Sequence, residues 1–124
     1  MEQRIIALRG AIQVADDSPQ SIQKSVGRLF DALCEKNETM VEDSMVCIMF
    51  TITDDLHSLN PATALRRDNP SLQAPLFCMQ EPDIVGMLPR MIRMLIQFYA
   101  PDRTFARPIY LDGAEKLRSD LSSH

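Results

Sequence analysis

The chain has 124 residues, 45% of them hydrophobic, and a formal net charge of -4 at pH 7. That length predicts one domain, residues 1–124, able to bury roughly two-thirds of its unfolded surface in a single core. The acidic balance speaks against a general nucleic-acid binder, which would be basic. Cys34, Cys47 and Cys78 are odd in number and have no C-x-x-C spacing, so neither a disulfide framework nor a zinc site is expected. The opening "MEQRIIALRG" lacks the pattern of a signal peptide. No apolar run approaches the ~18 residues of a membrane span, and the expectation is a cytoplasmic protein with no membrane partner.

Residues 4–14, "RIIALRGAIQV", are β-branched and largely apolar and read as a strand. Arg9-Gly10 interrupts it, as a bulge or as a close backbone approach. A helix follows. Ser18 is a good N-cap, Pro19 suits the first helical position, and Ile22, Val26, Leu29, Phe30, Leu33 and Cys34 share one face. Asn37 is a plausible end. "SMVCIMFTIT", 44–53, is a continuous apolar run of strand length. "DDLHSL" reads as a turn, and Asn60-Pro61 opens a short second helix. "APLFCMQE", 74–81, is a third strand, "LPRMIRMLIQFYA", 88–100, a third helix led by Pro89, and "RPIYL", 107–111, a fourth strand. Residues 112–124 form a polar tail.

The resulting β-α-β-α-β-α-β order predicts an α/β layer fold with helices covering a sheet. On the third helix Arg90, Arg93 and Gln97 form one narrow polar stripe, and the rest of the segment is apolar. Such a helix must be buried on more than one side, so an oligomer sharing this surface is inferred. An arginine flanked by apolar residues needs an anion. Glu81, at the end of the preceding strand, is a candidate ion-pair partner for Arg93 or Arg90. Cys78 reads first as a small buried hydrophobe, because no base is marked beside it. Asp54, Asp55 and His57 read as a turn. Tyr110 reads as a core residue whose hydroxyl needs a partner. These features suit a small anion bearing a hydroxyl and do not name a reaction.

The landmarks "LRGA" (8–11), "DLHSLNPATALR" (55–66), "CMQEPDIVG" (78–86), "LPRMIRML" (88–95), "YL" (110–111) and "LRSDL" (117–121) occur in that order. The chain thereby resembles the small monofunctional chorismate mutases of the trimeric pseudo-α/β-barrel type, from about residue 5 to residue 121. The resemblance implies a mixed sheet with helices, a homotrimer with sites between adjacent chains, and no cofactor or metal. It implies that Arg93 meets the ether oxygen and one carboxylate of chorismate. Glu81 would accept a hydrogen bond from the ring hydroxyl, with Cys78 close to the same group. Arg9 would grip a carboxylate with the support of Tyr110, and Arg66 would stand near the pocket mouth. Leu117 and Arg118 match a flexible C-terminal tail, 112–124, that closes over the ligand. Asn60 stands where an aromatic is common and Thr63 where a lysine is often found, both by the mouth.

The implied reaction is the rearrangement of chorismate to prephenate in aromatic amino-acid biosynthesis. It needs no nucleophile and no proton transfer, which agrees with a sequence lacking both a nucleophile–base pair and a cofactor motif. Two rival readings share some of these features. A reactive-intermediate (imine) deaminase is also a small α/β trimer with an arginine at a subunit cleft. A trimeric metabolite-binding protein with weak or lost mutase activity would keep the fold.

Overall fold

The computed structural model describes residues 2–116. Its elements are β1 (Gln3–Gln13), α1 (Pro19–Lys36), β2 (Met45–Ile52), α2 (Pro61–Asp68), β3 (Leu76–Gln80), β4 (Met91–Pro101) and β5 (Ile109–Leu111), with a single 3-10 turn before β2. The strands form one five-stranded mixed sheet in the order β3-β2-β4-β1-β5. β4 lies at the centre, antiparallel to both β1 and β2, whereas β3 adds to β2 and β5 to β1 in parallel.

The segment 88–100, expected as a helix, is therefore β4, the middle strand of the sheet. An apolar run of this length does not distinguish the two states by periodicity alone. Sheet pairing decides it. β1 and β2 do not touch each other in the sheet, and both direct their backbone groups at β4. As a helix, this segment would leave two rows of N–H and C=O groups unpaired in the middle of the molecule. The side chains alternate accordingly. Ile92, Met94, Ile96, Phe98 and Ala100 are buried on one face, while Arg93, Leu95, Gln97 and Tyr99 point to the other. The helical stripe of Arg90, Arg93 and Gln97 thus dissolves: Arg93 and Gln97 share a strand face, and Arg90 precedes the strand.

Both helices cover the same face of the sheet. α1 contributes Ile22, Val26, Leu29, Phe30 and Leu33 to the core, and α2 contributes Ala64 and Leu65. They pack on Ile6, Leu8 and Ile12 of β1, Ile48 and Phe50 of β2, and the buried row of β4. The expected caps are present. Ser18 Oγ accepts from Ser21 N–H at 3.2 Å, and Asn60 Oδ1 accepts from Ala62 N–H at 2.8 Å. Asn37 ends α1 and ties it down, donating to Leu33 O and Arg107 O while accepting from Arg107 N–H.

At Gly10 the bulge is absent, and the close approach is made first by side chains, with the backbone carbonyl of Ile109 farther off at 3.3 Å. The β1–β4 register runs unbroken from Gln3 to Gln13, so there is no bulge there. A Cβ at Gly10 would come within 2.9 Å of Leu33 Cδ1 and 3.1 Å of Leu29 Cδ1, so the glycine lets α1 lie close against the sheet. The start of the expected tail also belongs to the folded body, since Ala114 is fully buried beside Ala11, Met91 and Tyr110.

The second face of the sheet carries no helix. Cross-strand partners place Ile5, Ala7, Arg9 and Ala11 of β1 beside Tyr99, Gln97, Leu95 and Arg93 of β4. Cys47, Met49 and Thr51 of β2 continue these rows toward Phe77 and Met79 of β3. Ile5, Phe77, Met79 and Tyr99 are exposed there.

Candidate active site

A cavity of about 530 Å³ opens on this uncovered face. Its apolar walls come from Met49, Met79 and Leu95, and its polar groups are Arg9, Thr51, Glu81, Arg93 and Tyr110. Register explains the assembly. Arg93 lies between Ala11 of β1 and Thr51 of β2. Ala11 is small, which leaves room above β1, and its other neighbour Tyr110 stands on β5. Glu81 follows directly on β3, and its N–H donates to Ile52 O at 2.7 Å, which carries the parallel pairing one residue further and holds the carboxylate at the sheet edge.

The central contact is a charge pair. Arg93 Nε lies 3.0 Å from Glu81 Oε1. The distance is that of a hydrogen bond, yet Arg93 Nε is buried without a hydrogen-bond partner. The two observations agree once direction is considered: the approach is close but off the N–H axis, so charge attraction is present and an aligned bond is not. The Glu81 side chain is 11% exposed and that of Arg93 38%, so the cation is the more open of the two. Glu81 Oε1 also accepts a hydrogen bond from Thr51 Oγ1. On the other side of the cavity an Arg9 guanidinium nitrogen lies 3.5 Å from Tyr110 Oη, a long contact, with Tyr110 buried. Two guanidiniums against one carboxylate leave the cavity with an excess positive charge in an apolar frame, an arrangement that suits an anion.

Residues 5–121 match the family described as chorismate mutase type I. The chain belongs to that family. It is 36% identical over 120 residues to chorismate mutase AroH of Bacillus subtilis (strain 168), covering 95% of this chain and 93% of the relative. Chorismate mutase AroH of Thermus thermophilus is 35% identical over 119 residues, with 94% and 95% covered. A solved chorismate mutase from Clostridium thermocellum superposes with a TM-score of 0.81 at 33% identity, over 90% of this chain and 98% of that one.

In this type I chorismate mutase the residues marked by sequence divide into two groups. Arg9, Glu81, Arg93 and Tyr110 share the cavity just described. Cys78, Asn60, Thr63 and Arg66 do not line it. Cys78 is paired with Phe50 in register and packs against the core on the helix-covered face. Because side chains alternate along β3, Cys78 and its neighbour Met79 point to opposite faces. Burial pushes the Cys78 thiol above its ordinary value, which keeps it protonated. Cys78 and Asn60 border a hollow of about 340 Å³ next to His57. Thr63 and Arg66 border a groove between α2 and β3, together with Arg67 and Leu76. The Arg66 guanidinium is held by the carbonyls of Leu72 and Ala74. Leu117 and Arg118 lie outside the described residues.

One further assignment changes. Arg90 is not the partner of Glu81: its Nε donates to Val14 O at 2.9 Å, and its backbone N–H donates to the Asp55 carboxylate at 3.0 Å. The turn expected at Asp54 and Asp55 is present, closed by Leu56 N–H on Thr53 O and by Thr53 Oγ1 on Asp55, and through Asp55 it also clamps the start of β4. Thr51 was not singled out from sequence. A hydroxyl inside the apolar run of β2 was the available signal, but only strand register places it opposite Arg93.

Proposed function

We propose that this protein rearranges chorismate to prephenate, as part of aromatic amino-acid biosynthesis. The observation that carries this reading is the Arg93–Glu81 pair with its unsatisfied guanidinium N–H, set in an apolar cavity with Arg9 and Tyr110. The reaction is unimolecular: one carbon–oxygen bond breaks while a carbon–carbon bond forms, and no proton moves. The protein therefore has to fold the enolpyruvyl arm over the ring and stabilise the charge growing on the ether oxygen. Arg93 is assigned the ether oxygen, because its partly exposed guanidinium is already held beside the cavity by Glu81 and needs no reorganisation. Glu81 accepts from the ring hydroxyl. Arg9 and Tyr110 hold a carboxylate.

The working unit we propose is a homotrimer in the cytoplasm. Segment 88–100 is a strand and offers no apolar helix for an oligomer to share; the uncovered sheet face, with Ile5, Phe77, Met79 and Tyr99 exposed, supports the assembly instead. Such an assembly would bring the α2–β3 edge of one copy, with Asn60, Thr63, Arg66 and Cys78, against the cavity of the next. Arg66 then adds a cation for the second carboxylate, and the part of the tail beyond the buried Ala114, with Leu117 and Arg118, closes the site. No helix among the described residues is long and apolar enough to cross a membrane.

The test is incubation of the pure protein with chorismate, followed by loss of its ultraviolet absorbance. An imine deaminase or a metabolite-binding protein would leave that signal unchanged. Sedimentation at micromolar concentration tests the assembly, and a stable monomer of 14.0 kDa would overturn it.

A further inference from the structure

We infer that Thr51 is a positioning residue that keeps Glu81 from satisfying Arg93, so that the guanidinium stays available to the reacting oxygen; the inference rests on the proposed mutase activity. Glu81 Oε1 is shared between two neighbours, the Thr51 hydroxyl and Arg93 Nε. An ionised carboxylate only accepts, so Thr51 must donate. Its hydroxyl thereby fixes the direction of Oε1, and Arg93 Nε, though 3.0 Å away, receives no aligned bond. Without the hydroxyl, a glutamate side chain with three rotatable bonds is free to turn its oxygen onto the Nε–H axis. A charge-assisted hydrogen bond would form there. That bond would tie the guanidinium more closely to Glu81 and weaken the charge that Arg93 offers the transition state.

The position of Thr51 fits this role. It stands in β2 directly beside Arg93 of β4 on one side and Met79 of β3 on the other, all on the uncovered face. Both strands fix its Cα, and a β-branched side chain has few χ1 choices. It is thus the rigid member of a trio whose other two members have long side chains.

The experiment compares wild type with Thr51→Val, which is nearly isosteric and removes only the hydroxyl, and with Thr51→Ser, which keeps it. Thr51→Val is expected to lower kcat about tenfold or more, with KM changed much less. Thr51→Ser should restore most of the turnover. The same Thr51→Val change on a Glu81→Ala background should lower the residual turnover less than about twofold, because the carboxylate it directs is gone. A merely structural threonine would cost as much on either background. Unchanged kcat in Thr51→Val, failure of Thr51→Ser, or an equal loss in the Glu81→Ala background each overturns the inference while the mutase reading stands. Absence of chorismate turnover in wild type overturns both. Thermal melts verify folding, and Thr51→Ala carries the comparison if the valine variant does not fold.

Discussion

Arg93 and Glu81 are 3.0 Å apart, and the nitrogen that faces the carboxylate has no hydrogen-bond partner. An ion pair built only for stability would be expected to align, because a buried N–H left unmade costs about 1–3 kcal/mol. The misalignment leaves a partly exposed guanidinium beside the cavity, attracted to Glu81 but not tied to it by an aligned bond. This is the geometry a preorganised site needs, since the donor is worth more to a charge that develops during reaction than to one already present.

The first prediction separates Arg93 from Arg90. Arg93→Ala should lower turnover ~100- to 1,000-fold while the protein stays folded. Arg93→Lys should not rescue it, because a point charge does not replace a planar fork. Arg90→Ala should leave turnover nearly intact and reduce stability. Arg90 has φ 50, a left-handed conformation, and its N–H and Nε hold Asp55 and Val14 O. Arg90→Gly relieves the backbone cost and should be less destabilised than Arg90→Ala. Steady-state kinetics and urea midpoints check the set. An inactive Arg90→Ala beside an active Arg93→Lys would mean that the wrong arginine has been assigned.

Turnover should vary little between about pH 6 and 9, because no proton moves in the reaction. Burial holds the Cys78 thiol up, so it contributes no thiolate in the neutral range. Cys78→Ser should keep substantial activity. A pH–rate profile with an inflection near 7, or a dead serine variant, would instead make the thiol a nucleophile.

Stability should fall at alkaline pH through Cys34. Burial, reinforced by Asp31 and Glu42, pushes its thiol from 9.0 up to about 11. The sign follows from linkage: the folded state keeps the proton that the unfolded state loses above 9.0. The contribution is fully present below that pH and is lost as pH rises toward 11. Cys34→Ala should show a flatter decline than wild type over this window in denaturant titrations. Parallel curves would show that Cys34 is not the group responsible.

Thr63 and Asn60 should respond differently. Thr63 borders the groove that holds Arg66 and Arg67. Thr63→Lys adds a cation there and should lower KM with kcat little changed, more so at low salt. Asn60 caps α2 through Ala62 N–H, so Asn60→Ala should lower stability by about 1 kcal/mol and Asn60→Asp should not. If Thr63→Lys leaves KM unaltered, the two arginines already suffice at the mouth.

Much of this protein is legible in the chain alone. The caps at Ser18, Asn37 and Asn60, the apolar face of α1, and β1, β2, β3 and β5 follow from local rules, because caps and periodicity act over a few residues. The ordered landmarks also marked Arg9, Glu81, Arg93 and Tyr110, which the fold gathers in one cavity. Segment 88–100 was not legible. Its residues suit a buried helix as well as a buried strand, and only the unpaired edges of β1 and β2, distant in sequence, make it a strand. That one pairing has three consequences. It puts Thr51 beside Arg93, removes Arg90 from the site, and leaves one face of the sheet uncovered. The separation of Cys78 from Glu81 has the same origin: alternation along a strand sends neighbouring side chains to opposite faces, and the face each one meets is decided by what packs there.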